Sequence, residues 1–243
     1  MQKLLLAAAV MAMPMGGVAL AKQADDPTMS FVFRMSLDAN GRITALDYTG
    51  KHGNDNPVAG KLEQMIRSWD FTPGKIDGAP TPTDTTLTVR AVLRKSSGDG
   101  IELGIVDAHT GAAAEKLLQP GYPSRELSSV IEARLIVVAA VGANGKVTKV
   151  EFAGISPMNE SNRKAFEAAV VEASKEWRFR PETVGGHPVA ARVSLPVDFC
   201  LVTSPCARVK DEALAKDGTL PQSTPVALDS QVTLVTQVAG TTP

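Results

Sequence analysis

Few side chains in this chain of 243 residues have the chemistry to do more than fill a fold. Two are cysteines, in the run Cys200-Leu201-Val202-Thr203-Ser204-Pro205-Cys206. In an oxidising compartment two thiols so spaced are read most simply as a disulfide, Cys200 with Cys206, closing a short loop and stabilising it by roughly 2–3 kcal/mol if unstrained. A metal site needs more ligands than two thiols, and no histidine neighbours them. The three histidines, His52, His109 and His187, fall in loops or near turn signals, and none stands beside an evident nucleophile or orienting carboxylate. Gly-x-Ser-x-Gly, His-Glu-x-x-His and phosphate-cradling glycine loops are absent. These residues point to no catalytic set, no metal and no cofactor, so the chain reads as non-enzymatic and no small-molecule substrate is expected.

The remaining chemistry is that of backbone. Val189, Ala191, Val193, Leu195, Val197 and Phe199 alternate with Ala190, Arg192, Ser194, Pro196 and Asp198, as a half-buried strand requires. Pro196 has no N–H to donate, which places its side of the strand at a sheet edge or a bulge. An edge offers a row of unpaired N–H and C=O groups that another extended segment can take up.

The elements that must position this strand occur twice. Trp69-Asp70-Phe71-Thr72-Pro73 followed by Gly78-Ala79-Pro80 returns, 108 residues later, as Trp177-Arg178-Phe179-Arg180-Pro181 followed by Gly186-His187-Pro188. Phe31, Phe33, Met35 and Leu37 alternate as a first strand, matched 104 residues on by Leu135, Val137, Ala139 and Val141. Asn40-Gly41 and Asn144-Gly145 turn each chain into a second strand. There the apolar positions Ile43, Leu46, Tyr48 and Val147, Val150, Phe152 step by three and then two, which predicts a bulge in both copies. Val58, Leu62, Met65, Ile66 and Trp69, and likewise Phe166, Val170, Ala173, Ser174 and Trp177, form helical stripes with capping side chains at Asn54 to Asn56 and Asn159 to Ser161.

The expected fold is α+β: two tandem ββαβ domains, 30–94 and 119–206, each a three-stranded antiparallel sheet with one helix packed on it. Residues 95–118 read as a linker region that adds a strand and a short helix, and 207–243 as a flexible tail, with Gln231 to Val238 as an alternative strand. Lys3, the apolar run Leu4 to Leu20 and Ala19-Leu20-Ala21 read as a signal peptide spanning 1–21, the alternative being an uncleaved membrane anchor. A formal charge of −1 supplies no electrostatic reason to expect nucleic acid.

The second copy resembles the C-terminal domain of the TonB energy-transducer family. The resemblance rests on Gln119-Pro120-Gly121-Tyr122-Pro123, the Asn144-Gly145-Lys146-Val147 turn, Trp177-Arg178-Phe179-Arg180-Pro181, Gly186-His187-Pro188 and Leu195-Pro196-Val197-Asp198-Phe199. It covers about 119–200; the first copy lacks the Gln-Pro-x-Tyr-Pro stretch and looks like a degenerate sibling. The resemblance implies a periplasmic protein that pairs its last strand with an extended segment of an outer-membrane transporter or another envelope protein. It carries partner binding to Gln119, Pro120, Tyr122 and Pro123 and to Val189, Ala190, Ala191, Arg192, Val193, Ser194 and Leu195. The family's transducers also keep an N-terminal transmembrane helix bearing Ser and His, and a long Pro-rich spacer. Residues 4–20 hold neither Ser nor His, and no Pro-Glu or Pro-Lys array follows.

Two other readings remain open: an inner-membrane-anchored transducer facing the periplasm, and a structural envelope protein whose edges pair with each other or with a second chain as a homodimer. Trp69 and Trp177 are read as core residues; Tyr122 is either a partner contact or a lid over the helix. The signal-peptide reading predicts a mature chain beginning at Lys22, which intact mass spectrometry of the envelope protein reads directly, a retained residue 1 indicating the anchor instead.

Overall fold

The computed structural model describes residues 28–50, 56–95, 101–156, 158–201 and 224–239. The expected signal peptide, His52 and Cys206 lie outside these residues, and with Cys206 the expected disulfide. Among the described residues no helix is long and apolar enough to cross a membrane.

The first copy begins with β1 (Thr28–Leu37) and β2 (Ile43–Tyr48), an antiparallel hairpin. Helix α1 (Pro57–Ile66) follows, capped by the Asn56 side chain, which accepts from the amides of Val58 and Ala59. The long strand β3 (Thr83–Lys95) then pairs with β1 along its length. The second copy has the same order: β5 (Ala133–Val141) and β6 (Val147–Ile155) pair, α3 (Glu160–Ser174) is capped by Asn159, and β7 (Ala191–Phe199) lies against β5. Two core clusters result. Phe31, Phe33, Leu62, Ile66 and Trp69 pack in one; Leu135, Val137, Phe166, Val170 and Trp177 pack in the other.

The predicted bulges are present and equivalent. Leu37 pairs with Ile43 and Ser36 with Ala45, leaving Thr44 as the extra residue; Val141 pairs with Val147 and Ala140 with Lys149, leaving Thr148. Each threonine hydroxyl donates to a carbonyl of the partner strand, Thr44 to Ser36 and Thr148 to Ala140, both at 3.1 Å. That bond satisfies an acceptor the bulge would otherwise leave open.

The hairpin glycine is tied to the Trp-x-Phe motif by the same geometry in both copies. Gly41 and Gly145 have φ of +79° and +74°, and a Cβ there would lie 2.0 and 2.2 Å from the carbonyl oxygens of Phe71 and Phe179. The amide of Phe179 donates to Gly145 O at 2.9 Å. The turn and the strand after the helix are thus in backbone contact, with no room for a side chain.

Three stretches differ from the expectations. The strand expected within 95–118 is β4 (Ile101–Gly111), a further strand of the first sheet pairing with β3, but the described residues of this stretch form no helix and Ala113–Lys116 pairs with Arg178–Arg180 instead. In β4 the alternating Leu103 and Ile105 are buried, the period-two signal of a strand. His109 therefore lies in a strand. Val189 and Ala190 precede β7 rather than belong to it, because the Val189 amide donates to Glu182 O and His187–Pro188 turns back onto Thr183–Val184. Finally, the 224–239 stretch is docked: β8 (Val226–Ala227) pairs with β7, Thr233–Leu234 pairs with Phe71–Thr72, and Val232 and Val238 are buried in the first core.

The copies do not remain separate sheets. Thr183–Val184 of the second copy pairs with Asp84 and Thr83, extending the first sheet. Gly145→Ala is expected to destabilise the chain by about 1–3 kcal/mol, the strain of positive φ added to the clash with Phe179, measurable by urea unfolding.

Candidate strand-addition edge

Strand β7 is held on its inner side by β5 in one unbroken register, from Ala191 opposite Val141 to Phe199 opposite Ala133. Ala191, Val193, Leu195, Val197 and Phe199 are buried and the alternate residues are not, as the sequence pattern requires. On the outward-facing positions Arg134 holds Asp198 in a two-pronged pair, Nε to Oδ1 at 2.8 Å and Nη2 to Oδ2 at 3.3 Å. This cross-strand fork pins the end of β7 to β5.

The outer side of β7 is covered over part of its length by the chain's own C-terminal stretch. Val193 lies opposite Ala227 and Ser194 opposite Val226. The Leu228 amide donates to Arg192 O at 2.8 Å, and the Arg192 amide donates to Asp229 Oδ1 at 2.7 Å. Beyond Leu195 no strand among the described residues pairs with this side. Pro196 begins the uncovered part, where its missing N–H leaves no ladder bond unmade.

Of the sequence-predicted contact residues, the structure brings Tyr122 to the far end of this strand. Its ring meets Phe166 and Phe199 edge-on, with centroids 5.8 and 5.5 Å apart, and its hydroxyl donates to Ile131 O at 2.5 Å. Val130, at φ 55°, is a rare left-handed β-branched residue that turns the chain after helix α2 (Ser124–Ser128) toward that carbonyl. Tyr122 is therefore a lid over the second core, half-buried, with Pro123 beside it as the residue before α2. Gln119 is exposed and Pro120 half-buried; they follow Leu118, whose carbonyl accepts from Trp177 Nε1 at 2.8 Å. Trp177 is fully enclosed, and Trp69 nearly so, as core residues.

One residue that sequence reasoning did not single out organises the whole region. Glu182, 1% exposed, accepts from Thr85 Oγ1 at 2.6 Å, from Ser230 Oγ at 2.9 Å and from the Gln231 amide at 2.6 Å. It thus joins the second copy, strand β3 of the first and the C-terminal stretch. Its equivalent under the 108-residue repeat is Gly74, so the difference between the copies was a readable signal. Nearby on β3 and β4, Arg90 pairs with Asp107, whose Oδ1 accepts no hydrogen bond and faces His109 Nδ1 at 3.9 Å. His109 Nε2 lies 3.3 Å from Pro225 O, so the tautomer carrying its proton there donates to the C-terminal stretch.

An open cleft of about 420 Å³ in the first copy is lined by Asn40, Arg42, Arg67, Trp69 and Asp70 among others. Among the described residues no group of three or more His, Cys, Asp and Glu is placed to hold a metal.

Comparison with known proteins agrees with the geometry over one part of the chain. Residues 119–201 match the family described as Gram-negative bacterial TonB protein C-terminal. The second copy thus carries the TonB C-terminal likeness that Gln119 to Phe199 implied. Protein TonB of Xanthomonas campestris pv. campestris is 29% identical over 96 residues, covering 40% of this chain and 41% of that protein. Protein TonB of Vibrio cholerae serotype O1 is 26% identical over 130 residues, covering 54% of this chain and 46% of that protein. The chain thus spans less than half the length of these curated relatives. The solution NMR structure of the Pseudomonas aeruginosa TonB C-terminal domain covers 38% of this chain and 88% of its own, at 22% identity and a TM-score of 0.31, too loose a superposition to carry an argument.

Burial lowers the pKa of His109 below its ordinary value of 6.5, against the raising effects of Asp107 and the Pro225 carbonyl; Arg90 adds to the lowering. The unfolded chain then binds more protons than the folded one as pH falls past about 6.5, so stability present above that pH is lost toward the folded value. Thermal melts between pH 7.5 and 5.5 are expected to show this decline, and His109→Gln to flatten it.

Proposed function

We propose that this chain is a non-enzymatic TonB-system binding protein of the periplasm, whose second copy receives an extended segment of an outer-membrane transporter or another envelope protein along β7. The observation that carries this reading is the match of 119–201 to TonB C-termini, combined with an edge strand whose outer side, among the described residues, is met over Arg192 to Ser194 and by no strand beyond. Backbone pairing would supply affinity, while the half-buried Ser194 and exposed Arg192 would meet alternate side chains of the guest. Gln119, Pro120, Tyr122 and Pro123 would act differently from one another: Gln119 as a direct contact, Tyr122 and Pro123 by fixing the end of β7 through the core. Val189 and Ala190, outside the strand, would flank the site.

A second reading has a specific observation in its favour. Pairing of β8 with β7 is what a structural envelope protein with self-closed edges would have, and under that reading no guest strand is accepted. Anchoring in the inner membrane and coupling to a motor would rest on residues outside the described ones. The Cys200–Cys206 disulfide would close the chain just past the strand.

Titration of the isotope-labelled mature chain with N-terminal peptides of TonB-dependent transporters, followed by NMR, separates these readings. Strand addition is expected to shift the amides of Arg192, Ser194 and Asp198 in a saturable way. Unchanged spectra at millimolar peptide would leave the self-closed reading standing.

A further inference from the structure

The C-terminal stretch that covers β7 has two unlike halves. From Ser230 onward it is built into the first copy. Val232 and Val238 are 2% and 6% exposed in that core, Thr110 Oγ1 donates to Val232 O at 2.6 Å, and Ser230 and the Gln231 amide both reach Glu182. Thr233–Leu234 pairs with Phe71–Thr72, and the Asp70 amide donates to Thr236 Oγ1 at 2.8 Å. This is the place that Ala113–Lys116 occupies in the second copy, where it pairs with Arg178–Arg180. Among the described residues, the first copy takes its equivalent of that segment from the C-terminal stretch.

Before Ser230 the hold is slight. Pro225 to Asp229 makes a two-residue ladder on β7, one further amide bond from Leu228 and one side-chain acceptor, Asp229, while the Leu228 side chain is 49% exposed. Against β4, His109 contacts Pro225 O, and Ala227 packs on Gly111 so closely that a Cβ at Gly111 would lie 2.3 Å from the Ala227 Cβ. An element with few buried apolar contacts opens at lower free energy than the core it adjoins. Ser230, whose hydroxyl reaches Glu182 and Val232, thus marks the boundary between a docked anchor and a more lightly held cover.

We propose that Pro225–Asp229 is an autoinhibitory strap: a tethered occupant of the β7 edge that an incoming strand peels back at Ser230, with the core of the first copy, together with Glu182 of the second, serving as its anchor. The proposal deepens the strand-addition reading, since it says what regulates that site. It assigns the degenerate copy a task that does not require it to bind anything outside the chain. Tethering places the strap at an effective concentration on the order of millimolar over the edge, so a weak ladder suffices to exclude weak guests.

The test uses the full mature chain and two variants, Leu228→Pro, which removes the amide that reaches Arg192 O, and Asp229→Ala, which removes the acceptor for the Arg192 amide. Both substitutions lie outside the buried anchor, and circular dichroism together with the retained protection of Val137 in β5 reports that the fold is intact. The probe is a synthetic peptide with this chain's own sequence 224–231. The strap predicts at least tenfold faster hydrogen exchange at the Arg192 amide in both variants. It also predicts at least tenfold tighter uptake of the free peptide by the variants than by the parent chain. Equal exchange and equal peptide affinity in parent and variants would overturn it. Transporter N-terminal peptides form a separate arm: if the loosened variants take up the 224–231 peptide but no transporter peptide, the strap stands and the transporter reading falls. If transporter peptides bind parent and variants alike, the transporter reading stands and the strap falls.

Discussion

An antiparallel sheet ends in backbone groups that must find partners, and in this protein the partners come from outside the repeat that makes the sheet. On one side of β3, Thr83 and Asp84 are met by Val184 and Thr183, and from Thr86 onward β4 takes over. Thr85 stands at the handover, its hydroxyl accepting from the Gly111 amide and donating to Glu182. A carboxylate buried at that junction is tolerable only because three donors converge on it, one from strand β3 and two from the C-terminal stretch. The relation between the copies and the position of the C-terminal stretch both follow from this one knot.

The same constraint explains why the two copies differ in what they expose. In the second copy the strand after the helix is completed by Ala113–Lys116, immediately upstream in sequence, and Leu118 receives the Trp177 indole. In the first copy the equivalent place is taken by Thr233–Leu234. The C-terminal stretch therefore has a structural duty toward one copy and lies over the edge of the other. That pairing of roles links the degenerate copy to the site on its sibling.

Much of the local structure was legible because it depends on short-range rules. The Asn caps, the hairpin glycines, the equivalent bulges at Thr44 and Thr148 and the buried alternation of β7 each follow from side chains within a few residues of one another. Tyr122 was harder: proline flanks and the absence of a helical stripe marked it as special, but a contact and a lid have the same sequence signature. The structure places its ring against Phe166 and Phe199, a contact made across more than forty residues of chain that no local pattern announces. A strand between the copies was legible in the alternation of Leu103 and Ile105, but the short helix expected after it is instead the strand Ala113–Lys116, whose partner Arg178–Arg180 lies more than sixty residues away.

By itself, the order of residues determined the repeated strand, hairpin, strand, helix and strand, the residues that enter each core, and the likeness of 119–201 to TonB C-termini. Periodicity, capping and turn chemistry are local, so they can be read along the chain. Only the tertiary structure decided that β7 is partly covered, that Glu182 joins both copies to the C-terminal stretch, and that Val232 and Val238 complete the first core. Those outcomes depend on which distant segment reaches an open edge or an unfilled core first. Backbone hydrogen bonding accepts almost any extended sequence, so the residues of the segment do not announce their partner.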